Sequence, residues 1–145
     1  MKKANYRITI ESGEDYSFPM ISGYLLEIDG LRLCIGKAKK EMRQWRVTEP
    51  LTGLLCDMGG ASTIQKAAAN MARPGMIEKV KSAMHHMIQT RNNIHVVKER
   101  GAAADIADLL DGVYNGRIEW SVAEAAALGR FAKQAKAERA AAANG

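Results

Sequence analysis

Apolar residues along this chain keep two different rhythms, and the change between them falls at Gly59-Gly60. Upstream, Tyr6, Ile8 and Ile10 alternate with Arg7, Thr9 and Glu11, the period-two spacing of a half-buried strand. Residues 24–28 and 31–35 are two further apolar runs on either side of Asp29-Gly30. Both of those residues tolerate positive φ, so the pair predicts a type I′ hairpin. In residues 44–49, Trp45 and Val47 share one face and Arg46 and Thr48 the other. After the turn Pro50-Leu51-Thr52-Gly53, residues 54–57 read as a returning strand. The first half is therefore expected to be an antiparallel meander of four or five strands.

Downstream the spacing becomes helical. Ser62 or Thr63 can cap a helix with Ile64, Ala67, Ala68 and Met71 inward, and Arg73-Pro74-Gly75 ends it. A second helix carries Met76 or Ile77, Val80, Met84 and Met87 or Ile88 on one stripe, with a stop at Asn92-Asn93. Residues 94–97 read as a short strand or an extended linker. A third helix from Ala102 places Ile106, Leu109, Leu110 and Val113 inward. Ser121 and Glu124 have the spacing of a capping box for a last helix, from about Val122 toward Ala141. That helix would turn Val122, Ala125, Ala126, Leu128 or Gly129 and Ala132 to a partner, and its alanine-rich last two turns would project or fray. Strands followed by three or four α-helices predict an α+β fold, with 1–60 mainly β and 61–145 mainly α.

A length of 145 residues is the usual size of one domain, so 1–145 is expected to fold as a single unit. No apolar run approaches the ~20 residues that span a bilayer, and the Lys2-Lys3 start leads into no apolar stretch. The expected protein makes no membrane contact and works in a cytoplasm. Cys34 and Cys56 both fall in apolar strand runs, where they read as reduced core residues facing each other across the sheet. Two cysteines make no disulfide framework, and neither metal nor redox spacing is present.

The search for reactive groups is equally short. His85-His86 are adjacent, so on a helix their side chains diverge by about 100° and do not converge on one metal ion. His95 lies nine residues further on. Asp105, Asp108 and Asp111 recur at i, i+3 and i+6, which reads as a solvated face opposite Ile106, Leu109 and Leu110. Gly59-Gly60-Ala61-Ser62-Thr63 precedes a helix but lacks the lysine spacing of a phosphate-binding P-loop. With no nucleophile elbow, no Cys–His pair and no HExxH array, the expectation is a protein that is not an enzyme and uses no cofactor or metal.

Charge points elsewhere. Twenty-one Lys and Arg against 16 Asp and Glu leave a formal +5, which favours anionic partners. Lys37, Lys39, Lys40, Arg43 and Arg46 are offset only by Glu41, and Trp45 sits among them. Clustered cations can meet phosphates while an aromatic ring stacks on a base, which makes these residues a candidate nucleic-acid loop. Arg130, Lys133, Lys136 and Arg139 form a second basic set at i, i+3 spacing, suited to RNA, DNA or an acidic protein surface.

Two stretches carry a resemblance. Gln44-Trp45-Arg46-Val47-Thr48-Glu49-Pro50-Leu51-Thr52-Gly53, with the alanine-rich helix 63–72 behind it, resembles small orphan proteins of bacteriophages and integrative elements. Asp108-Leu109-Leu110-Asp111-Gly112-Val113-Tyr114-Asn115-Gly116-Arg117-Ile118-Glu119, followed by the helix containing 125–136, is similar to a helix–turn–helix unit of phage accessory and regulatory proteins. Anti-CRISPR proteins belong to this class, which shares no motif from which individual residues transfer. The resemblance implies a non-catalytic protein that binds and inhibits a host-defence nuclease or ribonucleoprotein complex in the bacterial host cell. It would do so by occluding a nucleic-acid site or an effector surface, as a monomer or homodimer. Many members are acidic DNA mimics, whereas this chain is basic, which favours contact with guide RNA, DNA or an acidic surface. The alternative is a regulatory protein of the mobile element that binds nucleic acid through the basic loop and the basic helix.

Overall fold

The computed structural model describes residues 1–13, 15–57, 59–89 and 104–144, and among these six strands precede four helices. The strands are β1 (Lys3–Arg7), β2 (Ile10–Ser12), β3 (Asp15–Ser17), β4 (Met20–Ile28), β5 (Leu31–Gly36) and β6 (Arg46–Thr48). The helices are α1 (Ile64–Met71), α2 (Met76–Gln89), α3 (Ala104–Tyr114) and α4 (Trp120–Asn144). The fold is α+β with N-terminal strands. The main sheet is antiparallel in the order β1-β4-β5-β6, and β2 with β3 forms a separate hairpin between the first two of these. The expected β4–β5 turn is present: Asp29 and Gly30 both take positive φ, 47° and 82°.

Directly paired residues point to the same side of a sheet, so the register sorts the side chains by layer. Leu26 with Leu33, Ile28 with Leu31, and Ile35 with Val47 face one way. They pack with Ala67 and Met71 of α1 and Ile77, Val80 and Met84 of α2. Tyr6 with Ile21 and Leu25 with Cys34 face the other way, against Leu109 and Leu110 of α3 and Ala123, Ala127 and Phe131 of α4. Helices therefore cover both faces, and β5, buried from both sides, is almost wholly apolar. The two cysteines consequently do not face each other: Cys34 belongs to the α4 layer and Cys56 to the α1–α2 layer. Tyr6 crosses β4 and β5 where Gly23 and Gly36 leave room, since a Cβ at Gly36 would collide with its hydroxyl.

Other expectations need adjustment. Residues 54–57 do not pair as a strand. They contribute the isolated bridge Thr48–Leu55 and the bond from Cys56 N–H to Val47 C=O, 2.8 Å. Helix α1 starts as expected, with Thr63 accepting from the Lys66 N–H at 3.1 Å. Helix α4 turns differently. Val122 is 59% exposed, while Ala123, Glu124, Ala127 and Phe131 are buried. Alanines on every side give the pattern no contrast, so Trp120, Glu124 and Phe131 set its rotation, about one position from the expected phase. Asn92-Asn93, residues 94–97, His95 and Ala102 lie outside the described residues.

The expected capping box is absent because Glu124 turns inward. Its Oε2 accepts the Arg32 backbone N–H at 2.9 Å, and the Arg32 guanidinium donates to the Ser121 carbonyl at 2.7 Å. Beyond lies Glu49, fully buried, whose carboxylate accepts from Leu51 N–H, Thr52 N–H and Thr52 Oγ1 at 2.7, 2.8 and 2.9 Å. Glu124 Oε1 is buried and receives no hydrogen bond. A carboxyl oxygen that holds its own proton needs none, because it donates, and Glu49 is the neighbour that accepts. Burial, and then the facing Glu49 carboxylate, push the Glu124 carboxyl up to about 9.

That shift fixes a sign. Between the ordinary carboxyl value of 4.5 and about 9, the folded chain holds a proton that the unfolded chain has released. Stability should therefore fall as pH rises through this window, by up to ~1.4 kcal/mol per pH unit, and level off above it. In Glu124→Gln the amide can donate to Glu49 while its carbonyl accepts from Arg32. Denaturant melts of this variant from pH 5 to 9.5 should lack that decline, and an equal decline in both proteins would refute the shared proton.

Candidate nucleic-acid interface

One strand residue, Tyr24, one bridge residue just before β6, Trp45, and one loop cation, Lys37, build the site. Tyr24 on β4 pairs with Ile35 on β5, and Ile35 pairs with Val47 on β6, so these side chains share the α1–α2 side of the sheet. Trp45, two residues before Val47, and Lys37, two after Ile35, continue on that side. The rings of Tyr24 and Trp45 lie 6.3 Å apart, tilted by 57°, and Lys37 Nζ sits 4.6 Å from the centre of the Trp45 ring. A cation over an indole face is held by the ring quadrupole, so Lys37 is ordered by Trp45, and among the described residues no carboxylate pairs with it.

Trp45 is fixed from beneath. Its N–H donates to Ala61 C=O at 2.7 Å and its C=O accepts from Ala61 N–H at 2.9 Å, tying it to the entry of α1. Its ring is half-buried against the apolar layer that holds Val47. It is thus both a core side chain and an open surface. The helices do not close this end of the sheet: Ser22 and Lys3 are exposed, and the register sets Lys3 beside Tyr24. Lys39, Lys40 and Arg43 are exposed on the loop between β5 and β6, which is tightened by the Met42 N–H to Lys39 C=O bond of 3.1 Å.

Arg46 is separated from this group. It pairs with Gly36, which turns its side chain to the opposite face. There Nε meets Asp57 Oδ1 at 3.1 Å and Nη2 donates to the Asp57 carbonyl at 3.2 Å. That double contact staples the segment after the β6 turn to the sheet. It holds Arg46 within the fold, unlike the solvated Lys39, Lys40 and Arg43.

The second basic set does not join the first. Helix α4 packs on the other side of the sheet from Trp45. Residues three apart on a helix fall about 60° short of a full turn, so Arg130, Lys133, Lys136 and Arg139 sweep around the axis rather than forming a straight stripe. Arg130 is half-buried, Lys133 and Lys136 are exposed, and Arg139 flanks a cleft against Asn5 of β1 and Met20 and Ser22 of β4.

The remaining candidates stay dispersed. The exposed His85 lies with its ring 6.3 Å from Trp120, and His86 is exposed beside it. Asp108 is exposed and Asp111 is half-buried, while the Asp105 side chain lies outside what is described. Among the described residues no cluster of three metal-ligating side chains occurs, and no helix is long and apolar enough to cross a membrane. Burial, above all, raises the Cys56 thiol far beyond the thiolate range. Tyr24 escaped the sequence reading because only cross-strand register brings it to Trp45, and the same register sets Lys3 beside Tyr24. Comparison with protein-family models, curated proteins and solved structures finds no match for this chain.

The double role of Trp45 predicts two unequal losses. Trp45→Ala should lower folding stability by about 2 kcal/mol, less than the ~3–5 of a fully buried tryptophan, because half its ring is already in water. Lys37→Gln should cost under ~1 kcal/mol. Urea titrations of both variants against the parent chain check the ranking.

Proposed function

We propose that this chain is a non-catalytic protein that binds single-stranded nucleic acid on the Tyr24–Trp45–Lys37 platform, with Lys39, Lys40 and Arg43 on the phosphates. The observation that carries this reading is the Lys37 ammonium over the Trp45 ring, with a second ring 6.3 Å away and a solvated cationic loop alongside. Stacking on flat rings requires unpaired bases, which favours single strands over duplex. Lys37 caps the indole while the site is empty. An incoming base takes its place, and the ammonium moves to the neighbouring phosphate. Each stacked base contributes ~1–3 kcal/mol with little sequence preference.

A second reading is favoured by one further observation. Ile10, Met42 and Leu55 are apolar yet 37%, 38% and 49% exposed, and they line a common cleft beside the same loop. Nucleic acid alone gives no reason for such a patch, whereas a protein partner would cover it. The nucleic acid would then be presented inside a ribonucleoprotein, in keeping with an inhibitor of a host-defence nuclease complex of the anti-CRISPR kind. A regulator of the mobile element itself would use the platform without the patch.

Fluorescence anisotropy with labelled oligo(dT) and oligo(U) at several salt concentrations decides the primary reading. Four phosphate contacts on a single strand, those of Lys37, Lys39, Lys40 and Arg43, predict a slope of about −3 in log K against log salt. Reversal of Lys39, Lys40 and Arg43 to Glu should abolish binding with folding intact, and Trp45→Leu should weaken it at least tenfold. Equal affinity of the triple variant, or no binding at low salt, would sink the proposal.

A further inference from the structure

A second site lies apart from the platform, in a cleft of about 530 Å³ between the 54–57 segment and the corner joining α1 to α2. Its volume falls within the ~300–1,000 Å³ of small-molecule pockets. The floor is apolar: Cys56, Met71 and Val80 are buried, and Leu54 and Met76 are half-buried. Arg73, in the turn between the helices, and Lys79, on the first turns of α2, are exposed at its edge. Among the described residues neither has an acidic partner. Asp57, the one carboxylate among the described residues that line the cleft, is neutralised by Arg46 at 3.1 Å. The mouth is therefore cationic above a floor that offers thioethers, a protonated thiol and aliphatic carbons.

We infer that this cleft binds a small amphipathic carboxylate, a medium-chain fatty acyl anion. Its head lies between Arg73 and Lys79 and its chain over Met71, Cys56 and Val80. Charge complementarity selects the head, because the mouth carries two cations and no net opposing charge. The floor selects the tail. It has no aromatic ring to stack on a base and few polar groups to fix a sugar, whereas flexible methionines adapt to a chain. This site makes no use of the platform residues, so it stands independently of the nucleic-acid reading.

Decanoate, with decanol as the uncharged control, tests it on the full chain carrying 13C-methyl methionine. Decanoate should shift the Met71 and Met76 resonances saturably and leave Met42 unmoved, with decanol at least tenfold weaker. The double variant Arg73→Gln, Lys79→Gln should bind decanoate at least tenfold more weakly, while an unchanged signal from buried Met84 reports an intact fold. Equal affinity for decanol, shifts spread over Met42 as well, or no saturable change in the parent chain would each overturn the inference. The comparison of decanoate with decanol on the parent chain decides the matter even if the double variant fails to fold.

Discussion

The buried cluster of Glu49, Glu124 and Arg32 holds three parts of this molecule in register. Glu49 belongs to the turn after β6, Glu124 to the first turns of α4, and Arg32, which donates to Glu124, to the start of β5. Two ionised carboxylates at this depth would repel each other without water to screen them, and each would bear a desolvation cost of several kcal/mol. The turn donors at Leu51 and Thr52 can satisfy only an acceptor, which assigns the negative charge to Glu49. Glu124 must then keep its proton. The pair resembles neither a salt bridge nor a catalytic dyad open to substrate, because both residues are fully buried. Its consequence is positional: α4 can rest on the sheet only with Glu124 pointing down, and that fixes the rotation of the whole helix.

The same constraint accounts for the small residues nearby. With Glu124 down, Ala123, Ala127 and Phe131 also face the sheet, and the alanines let the helix approach closely. Tyr6 fills the space further along, lying over Gly23 and Gly36. A side chain at either glycine would meet β5 backbone or the Tyr6 ring, so the glycines serve close approach rather than a turn. Burial pushes the Tyr6 hydroxyl well above its ordinary range, so it remains a neutral phenol beneath α4.

How much of this was legible in the sequence depends on the range of each interaction. Local chemistry read well. The Asp29-Gly30 turn, the Thr63 cap, the stripe of α1, that of α2 from Met76 to Met84 (the side chains of Met87 and Ile88 lie outside what is described), and the alternation of Trp45 and Val47 with Arg46 and Thr48 all rest on neighbours within a few positions. The rotation of α4 did not, because it is decided by a carboxyl group 75 residues away in a turn. The capping-box spacing of Ser121 and Glu124 was present, but the buried Arg32 N–H and Glu49 offered Glu124 a stronger demand than its own helix did. The basic loop was visible as a charge run. Its division into the stapled Arg46, the stacked Lys37 and the solvated Lys39, Lys40 and Arg43 needed the sheet register. Tyr24 entered the site through that register alone.

The position of the platform follows from where the helices stop. Helices α1 and α2 cover the sheet along Leu26, Ile28, Leu31 and Leu33, and their coverage ends near Tyr24 and Trp45. A sheet face left in water is normally made polar, and Ser22 and Lys3 conform. Tyr24 and Trp45 do not, since each keeps part of a large ring exposed at the boundary between dry and wet surface. Trp45 meets both demands by burying one part of its ring against the core and covering another with Lys37. An aliphatic side chain at position 45 could fill the core edge equally well, but it could hold neither a cation nor a base. A tryptophan at the rim of the core, beside three solvated cations, therefore does what packing alone would not require: it closes the core edge and holds the Lys37 ammonium with the same ring.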